Sequence, residues 1–297
     1  RPASDAGHGR VNSGDTSMTA RDCESTMPAP SSLEIVNPHH PRGPFKAAIF
    51  DFDGTLSLLR RNWQEVMIPM MVEILVATGT KESAGELHAT VEDFVMRLNG
   101  KQTIYQMMQL ADEVAKRGGS PKDPVAYKRQ YHDLLWQQVG SRVESVRNGR
   151  VPAEELTVPN STELLTQLHG RGLKMYLASG TDLKYVQDEL GVLGLAKWFG
   201  PHVYGALDDY KKFSKAMIIE QMIRDSGVAG NQIVGFGDGY VEIEEVKKVG
   251  GLAIGVASNE ESREGINDWK RNRLIKAGAD IIVGDYRCLS KLLAILE

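Results

Sequence analysis

The sequence predicts an α/β fold: a Rossmann-like parallel sheet core with an α-helical bundle inserted after its first strand. Three observations predict it. Short apolar runs recur at residues 47–50, 174–178, 233–236, 252–256 and 281–283. Each ends in a polar or glycine-rich turn, as fully buried parallel strands do. Helical patterns at residues 162–168, 182–190, 215–224, 242–249, 262–277 and 289–296 separate or follow the runs after the first, the alternation expected of βαβ units. Finally, residues 62–147 carry no strand signal at all.

Each segment has its own justification. Ala47-Ala48-Ile49-Phe50 stops abruptly at Asp51, so the first strand is expected to end there. In the stretch that follows, Val66/Met70/Met71/Ile74, Leu87/Val91/Phe94/Val95/Leu98, Ile104/Met107/Met108/Ala111 and Tyr127/Tyr131/Leu134/Leu135 recur at helical spacing. Breaks at Gly79, Gly100 and Gly118-Gly119 divide it into about four helices. The first 44 residues hold six of the twelve prolines and no aromatic residue, too little apolar surface to offset the entropy of ordering. The expected organisation is therefore a flexible tail over residues 1–43, a core over 44–59 and 156–297, and a helical insert over 60–155.

Composition excludes several classes. A net charge of -4 gives no reason to expect nucleic acid as a partner. The longest apolar stretch, residues 66–77, falls well short of the ~20 residues that cross a bilayer, so no membrane is expected. Cys23 and Cys288 cannot build a disulfide scaffold, which fits a reducing, cytoplasmic setting. The N-terminus has no apolar region of the kind a secretory signal needs.

Four signals carry chemistry, all at strand ends or the helix starts that follow. Asp51-Phe52-Asp53-Gly54-Thr55 places two carboxylates just past the first strand. Such a pair can divide labour between nucleophile and proton donor, with a divalent cation screening the charge of an incoming anion. Ser179 and Gly180 end the second run and open a helix, where a hydroxyl and free N–H groups can hold an anion. Lys215 enters a helix and can neutralise a phosphate or keep a carboxylate ionised, although Lys211 and Lys212 compete for that role. Gly237-Asp238-Gly239-Tyr240-Val241-Glu242 follows the third run. Its spacing is not that of a dinucleotide loop, and Asp238 with Glu242 offers hard oxygen ligands suited to magnesium.

In this order the motifs resemble those of the haloacid dehalogenase superfamily of phosphotransferases, over roughly Phe45 to Glu297. The insert is similar to the cap of its phosphoglycolate phosphatase and β-phosphoglucomutase branch. The resemblance implies a nucleophilic Asp51 that becomes an aspartyl-phosphate, and an Asp53 that protonates the leaving oxygen and later activates water. It implies that Ser179 and Lys215 hold phosphoryl oxygens, with Thr55 and Gly180 beside them. Magnesium would be bound by Asp51, the Asp53 backbone carbonyl and Asp238, with Glu242 in direct or water-mediated support. The family more often has Asp where Glu242 stands. Arg60, Arg61 and Lys101, in or near the cap, are candidates for a second anionic group of the substrate. The expected activity is a magnesium-dependent phosphatase acting on a small phosphorylated metabolite of the sugar phosphate or phosphoglycolate type. A phosphomutase and a non-catalytic binding protein are the alternatives.

Overall fold

The computed structural model describes residues 33–207 and 209–297. Its chain order is β1 (Leu33–Ile35), β2 (Ala47–Phe50), four helices α1 (Gln64–Val76), α2 (Ala84–Arg97), α3 (Thr103–Lys116) and α4 (Pro124–Arg147), then α5 (Ser161–Gly170) and β3 (Lys174–Asp182). There follow α6 (Leu183–Val192), β4 (Val203–Ala206), α7 (Lys215–Ser226), β5 (Ile233–Gly237), α8 (Tyr240–Lys248), β6 (Leu252–Val256), α9 (Asp268–Lys276), β7 (Ile281–Val283) and α10 (Leu289–Ile295). The strands form one sheet in the order β1-β7-β6-β5-β2-β3-β4. All neighbours run parallel except β1, which pairs antiparallel with β7.

Sheet order explains where ligands can bind. From β2 the chain winds outward through β3 to β4, then returns to the other side of β2 and continues through β5, β6 and β7. The winding reverses between β2 and β5, and a crevice opens at the carboxyl ends of strands at such a switch point. In register, Phe50 lies beside both Leu177 and Phe236, so Asp51, Ser179 and Asp238 emerge at one edge. Both faces of the sheet are covered, one by an extended cluster that includes Phe50, Phe236 and Leu177, the other by Ile49, Tyr176, Ile219 and Val246.

The helical insert leaves and rejoins the core through two segments that lie side by side. Leu58 N–H donates to the Leu156 carbonyl and Val158 N–H to the Leu56 carbonyl, both near 3 Å. The insert's helices have clear local origins. Ser83 and Glu86 form a capping box for α2, while Asp123 caps α4 with Pro124 at its first position. Pro69 sits within α1, where its missing N–H removes one ladder bond.

Two expectations are corrected. The tail ends earlier than residue 43, since Leu33–Ile35 is an edge strand. Its neighbours Val36 and Asn37 donate their N–H groups to the Asp280 carbonyl, and Glu34 pairs with Arg271. A composition averaged over 44 residues hides a three-residue strand; residues 1–32 of the expected tail lie outside the described residues. The helix expected from residue 262 starts instead at Asp268, because Arg263 and Gly265 take left-handed backbone and Ser258 bridges Ile266. The loop before this helix carries Ser258 and Glu260, which bear on the site.

Candidate active site

Asp51 is nearly buried, and its Oδ1 accepts a 2.7 Å hydrogen bond from Lys215 Nζ. Burial pushes the Asp51 carboxyl up; Lys215 opposes that shift and Asp238 adds to it. Lys215 also pairs with Glu242 on its other side. The approach of α8 to β5 makes this possible, for a Cβ at Gly237 would lie 2.7 Å from Glu242 Cβ. That close packing is the use of the glycines in this run, in place of a nucleotide loop.

Asp53 lies across the cavity from that pair. Thr181 Oγ1 donates to its Oδ2 at 2.8 Å, and Ser179 Oγ reaches the same atom at 3.4 Å. Its Oδ1 has no hydrogen-bond partner, and the Arg60 guanidinium stands 3.8 Å away. Burial raises the Asp53 carboxyl to about 7, with Arg60 opposing. Arg60 is itself committed: Nη2 and Nε donate to Glu189, which is fully buried on α6.

The turn just after the two aspartates is anchored from three sides. Gly54 takes φ +75°, a conformation that glycine adopts without strain, and a Cβ there would overlap the Asp238 carboxylate. Asp238 N–H donates to Thr55 Oγ1 at 3.0 Å, so Thr55 ties the first turn to the β5 end and does not line the cavity. Ser258 Oγ donates to the Gly54 carbonyl and Tyr286 OH to the Thr55 carbonyl. Lys270 Nζ joins the same network, donating to Asp238 Oδ2 at 2.8 Å, Glu260 Oε1 at 2.5 Å and Ser258 Oγ at 3.3 Å. Burial disfavours its charge, yet the two carboxylates outweigh that and raise it.

A cavity of about 100 Å³ gathers Asp51, Asp53, Ser179, Gly180, Lys215 and Asp238 from the core. Arg60, Trp63, Met67, Lys101, Gln106 and Tyr131 line its other side. The loop before α3 is held against the core. Gln102 Nε2 donates to the Tyr210 and Phe213 carbonyls, and Arg273 donates to the carbonyls of Met96, Arg97 and Asn99. Gly180 lets that loop close in, since a Cβ there would meet the Lys101 carbonyl at 2.9 Å.

Besides Thr55, two of the expected residues fall elsewhere. Arg61 lines a separate surface cavity with Arg142 and Arg263. Successive residues in this segment point apart, and only Arg60 turns inward. Glu242 lies behind Lys215 and does not line the site cavity, so direct metal support from it is not the arrangement seen. Conversely, sequence reasoning missed Thr181, Glu189, Glu260 and Lys270. Thr181 sits two residues past Ser179 and could have been weighed with it; the other three lie far from any motif.

The donors fit magnesium in kind. Asp51 and Asp238 present hard carboxylate oxygens to one cavity, and Lys270 engages Asp238 through Oδ2. Among the described residues no three acidic, imidazole or thiol groups gather as a ready cation cage. That is compatible with magnesium, which keeps waters and takes one or two carboxylates plus substrate phosphate.

Residues 45–250 match the family described as haloacid dehalogenase-like hydrolase, and the chain belongs to it. No curated protein matches the sequence. Among solved structures it is similar to a predicted phosphoglycolate phosphatase from Haemophilus somnus, at 18% identity and a TM-score of 0.56, covering 84% of this chain and 98% of that one. A predicted phosphatase from Clostridium acetobutylicum aligns at 18% identity and 0.54, over 85% and 99%. A candidate β-phosphoglucomutase from Thermotoga maritima aligns at 22% identity and 0.50, over 85% and 100%. These likenesses show the fold.

Proposed function

We propose that the chain is a magnesium-dependent phosphatase that hydrolyses a small phosphorylated metabolite through an aspartyl-phosphate on Asp51. The observation that carries this reading is the asymmetry of the two carboxylates. Asp51 is held by a lysine ammonium, whereas Asp53 has a carboxyl raised to about 7 and one oxygen without a hydrogen-bond partner. Burial raises both carboxyls, and it is their different partners, an ammonium on Asp51 and a hydroxyl on Asp53, that suit one to attack and the other to donate a proton.

In the first step an Asp51 oxygen attacks phosphorus and the bond from phosphorus to the leaving oxygen breaks. Asp53 gives that oxygen its proton. In the second step Asp53, now ionised, takes a proton from water as the water attacks phosphorus, and Asp51 is released with inorganic phosphate. Lys215 and Ser179 neutralise and orient the phosphoryl oxygens, which is most of what phosphoryl transfer requires of a protein. Magnesium, held by Asp51, Asp238 and the Asp53 carbonyl that the family resemblance implies, would offset the negative charge of the phosphoryl group.

The helical insert acts as the cap, excluding water and contacting the leaving group through Arg60, Lys101, Gln106 and Tyr131. The cavity of about 100 Å³ is of a size that a small metabolite's phosphoryl group and its neighbouring atoms can occupy. No helix among the described residues is long and apolar enough to cross a membrane; a cytoplasmic setting rests on the cysteine count.

The test is release of phosphate from p-nitrophenyl phosphate and from a panel of phosphorylated metabolites, with and without magnesium. Asp51→Asn is expected to abolish turnover while the fold persists. Full activity in that variant would sink the mechanism. Phosphate retained on a sugar product, with a bisphosphate required as primer, would turn the reading to a phosphomutase.

A further inference from the structure

A second cavity, of about 290 Å³, opens where the helical insert joins the core. It shares no lining residue with the catalytic cavity. Three arginines line it: Arg61 from the outgoing segment, Arg142 from α4 and Arg263 from the loop after β6. Glu155, on the returning segment, is the acidic residue among the lining groups.

These arginines differ from Arg60, Arg117 and Lys270, and resemble Arg273, which likewise donates to backbone carbonyls. Arg60, Arg117 and Lys270 each pair with carboxylates. Arg142 and Arg263 donate only to backbone carbonyls, Arg142 Nη1 to Leu59 and Arg61 at 2.8 and 3.0 Å, and Arg263 Nη2 to Glu154 and Thr157 at 2.6 and 3.3 Å. Arg61 has no side-chain hydrogen bond or ion pair among the described residues, and the buried Arg263 Nε has no partner. Arg263 also takes left-handed backbone at φ +56°, which is sparsely populated for a residue with a Cβ. Burial and the charge of Arg61 both weaken the hold of Arg142 on its proton, with Glu260 and Glu65 acting in the other direction.

We infer that this junction binds a small phosphate-bearing dianion distinct from the substrate in the catalytic cavity. Three guanidiniums against one carboxylate leave two positive charges on the cavity wall. Guanidinium forks match phosphate oxygens and bind them with charge-assisted hydrogen bonds. The same arginines already hold both connecting segments by their carbonyls. A bound dianion would join Arg142 of the insert to Arg263 of the core and keep the insert in the closed arrangement described above. Insert closure would then respond to the level of a phosphorylated compound without any change in the catalytic residues.

The test titrates inorganic phosphate, and separately the non-hydrolysable phenylphosphonate, into the full chain with magnesium by calorimetry. Two binding sites are expected in the wild type. Arg61→Gln, which breaks no contact of the fold, is expected to weaken the second site at least tenfold and leave the first; Arg61→Lys should recover part of the loss. Phosphate should slow amide exchange in residues 56–63 and 148–158 of the wild type but not of Arg61→Gln. Tighter phenylphosphonate binding at the second site would identify an organic phosphate as the ligand, and tighter phosphate binding the inorganic ion. Binding unchanged in Arg61→Gln, whether the wild type shows one site or two, overturns the proposal, whereas a single wild-type site that Arg61→Gln weakens supports the junction and counts against the catalytic cavity. Because the readout is binding and not turnover, it stands or falls apart from the proposed phosphatase activity.

Discussion

Lys270 reaches Asp238 from a different strand connection, donating from Nζ to Oδ2 at 2.8 Å while also holding Glu260. One carboxylate of the proposed cation site is thus already balanced by a protein charge. Replacing Lys270 with Met leaves two partly buried carboxylates without a counter-ion. Breaking such a pair costs about 3–5 kcal/mol, so the melting temperature should fall in chelator. The freed negative charge should also tighten magnesium binding by on the order of tenfold, given Coulomb interactions of a few kcal/mol at these distances. Calorimetric titration of magnesium checks this, and weaker binding in Lys270→Met would contradict it.

Glu242 should act through Lys215. Glu242→Ala leaves the ammonium with Asp51 alone, and Lys215→Ala leaves two buried carboxylates unpaired. The lysine variant should therefore be the less stable of the two, by a few kcal/mol. Denaturant unfolding of both single variants and the double variant gives the coupling, and strict additivity would refute the contact.

The Asp53 carboxyl is expected to titrate near 7 in magnesium-free protein, observable by carbon NMR of the side chain. Thr181 donates to the ionised form and so holds the value down. Thr181→Val should move it further up, and a downward shift would be the wrong sign.

The same shift has a stability consequence. Between the usual carboxylate range and about 7, the folded state binds a proton at Asp53 that the unfolded state has released. Stability from this group is therefore greatest at low pH and is lost as pH rises through about 7. Asp53→Asn should lose turnover yet melt at or above the wild-type temperature at pH 8, a result that scanning calorimetry decides.

Arg60 and Glu189 separate structural from catalytic roles. Arg60→Ala leaves Glu189 buried and unpaired, at a cost of about 3–5 kcal/mol. Replacing both with Met should recover most of that stability, since apolar residues of similar size substitute well for a buried pair. Turnover should remain low because Asp53 has lost the nearby cation. A stable, fully active double variant would show that Arg60 only supports the fold.

What the sequence determines by itself is the order of elements and the motif-bearing strand ends. Runs such as Ala47–Phe50 and Ile233–Gly237 are buried on both faces and declare themselves by composition, and the four insert helices do so by period. Short edge strands, Leu33–Ile35 and Val203–Ala206, are half-covered or flank the sheet, so their apolar signal is too brief to read. Only the tertiary structure decided that Glu242 serves Lys215, that Arg60 turns inward while Arg61 does not, and that Lys270 and Glu260 complete the surroundings of Asp238. Contacts around the site join residues as much as 231 positions apart, as between Tyr286 and Thr55, through winding about a switch point. Local sequence records a side chain's chemistry, whereas its partner depends on which strands become neighbours.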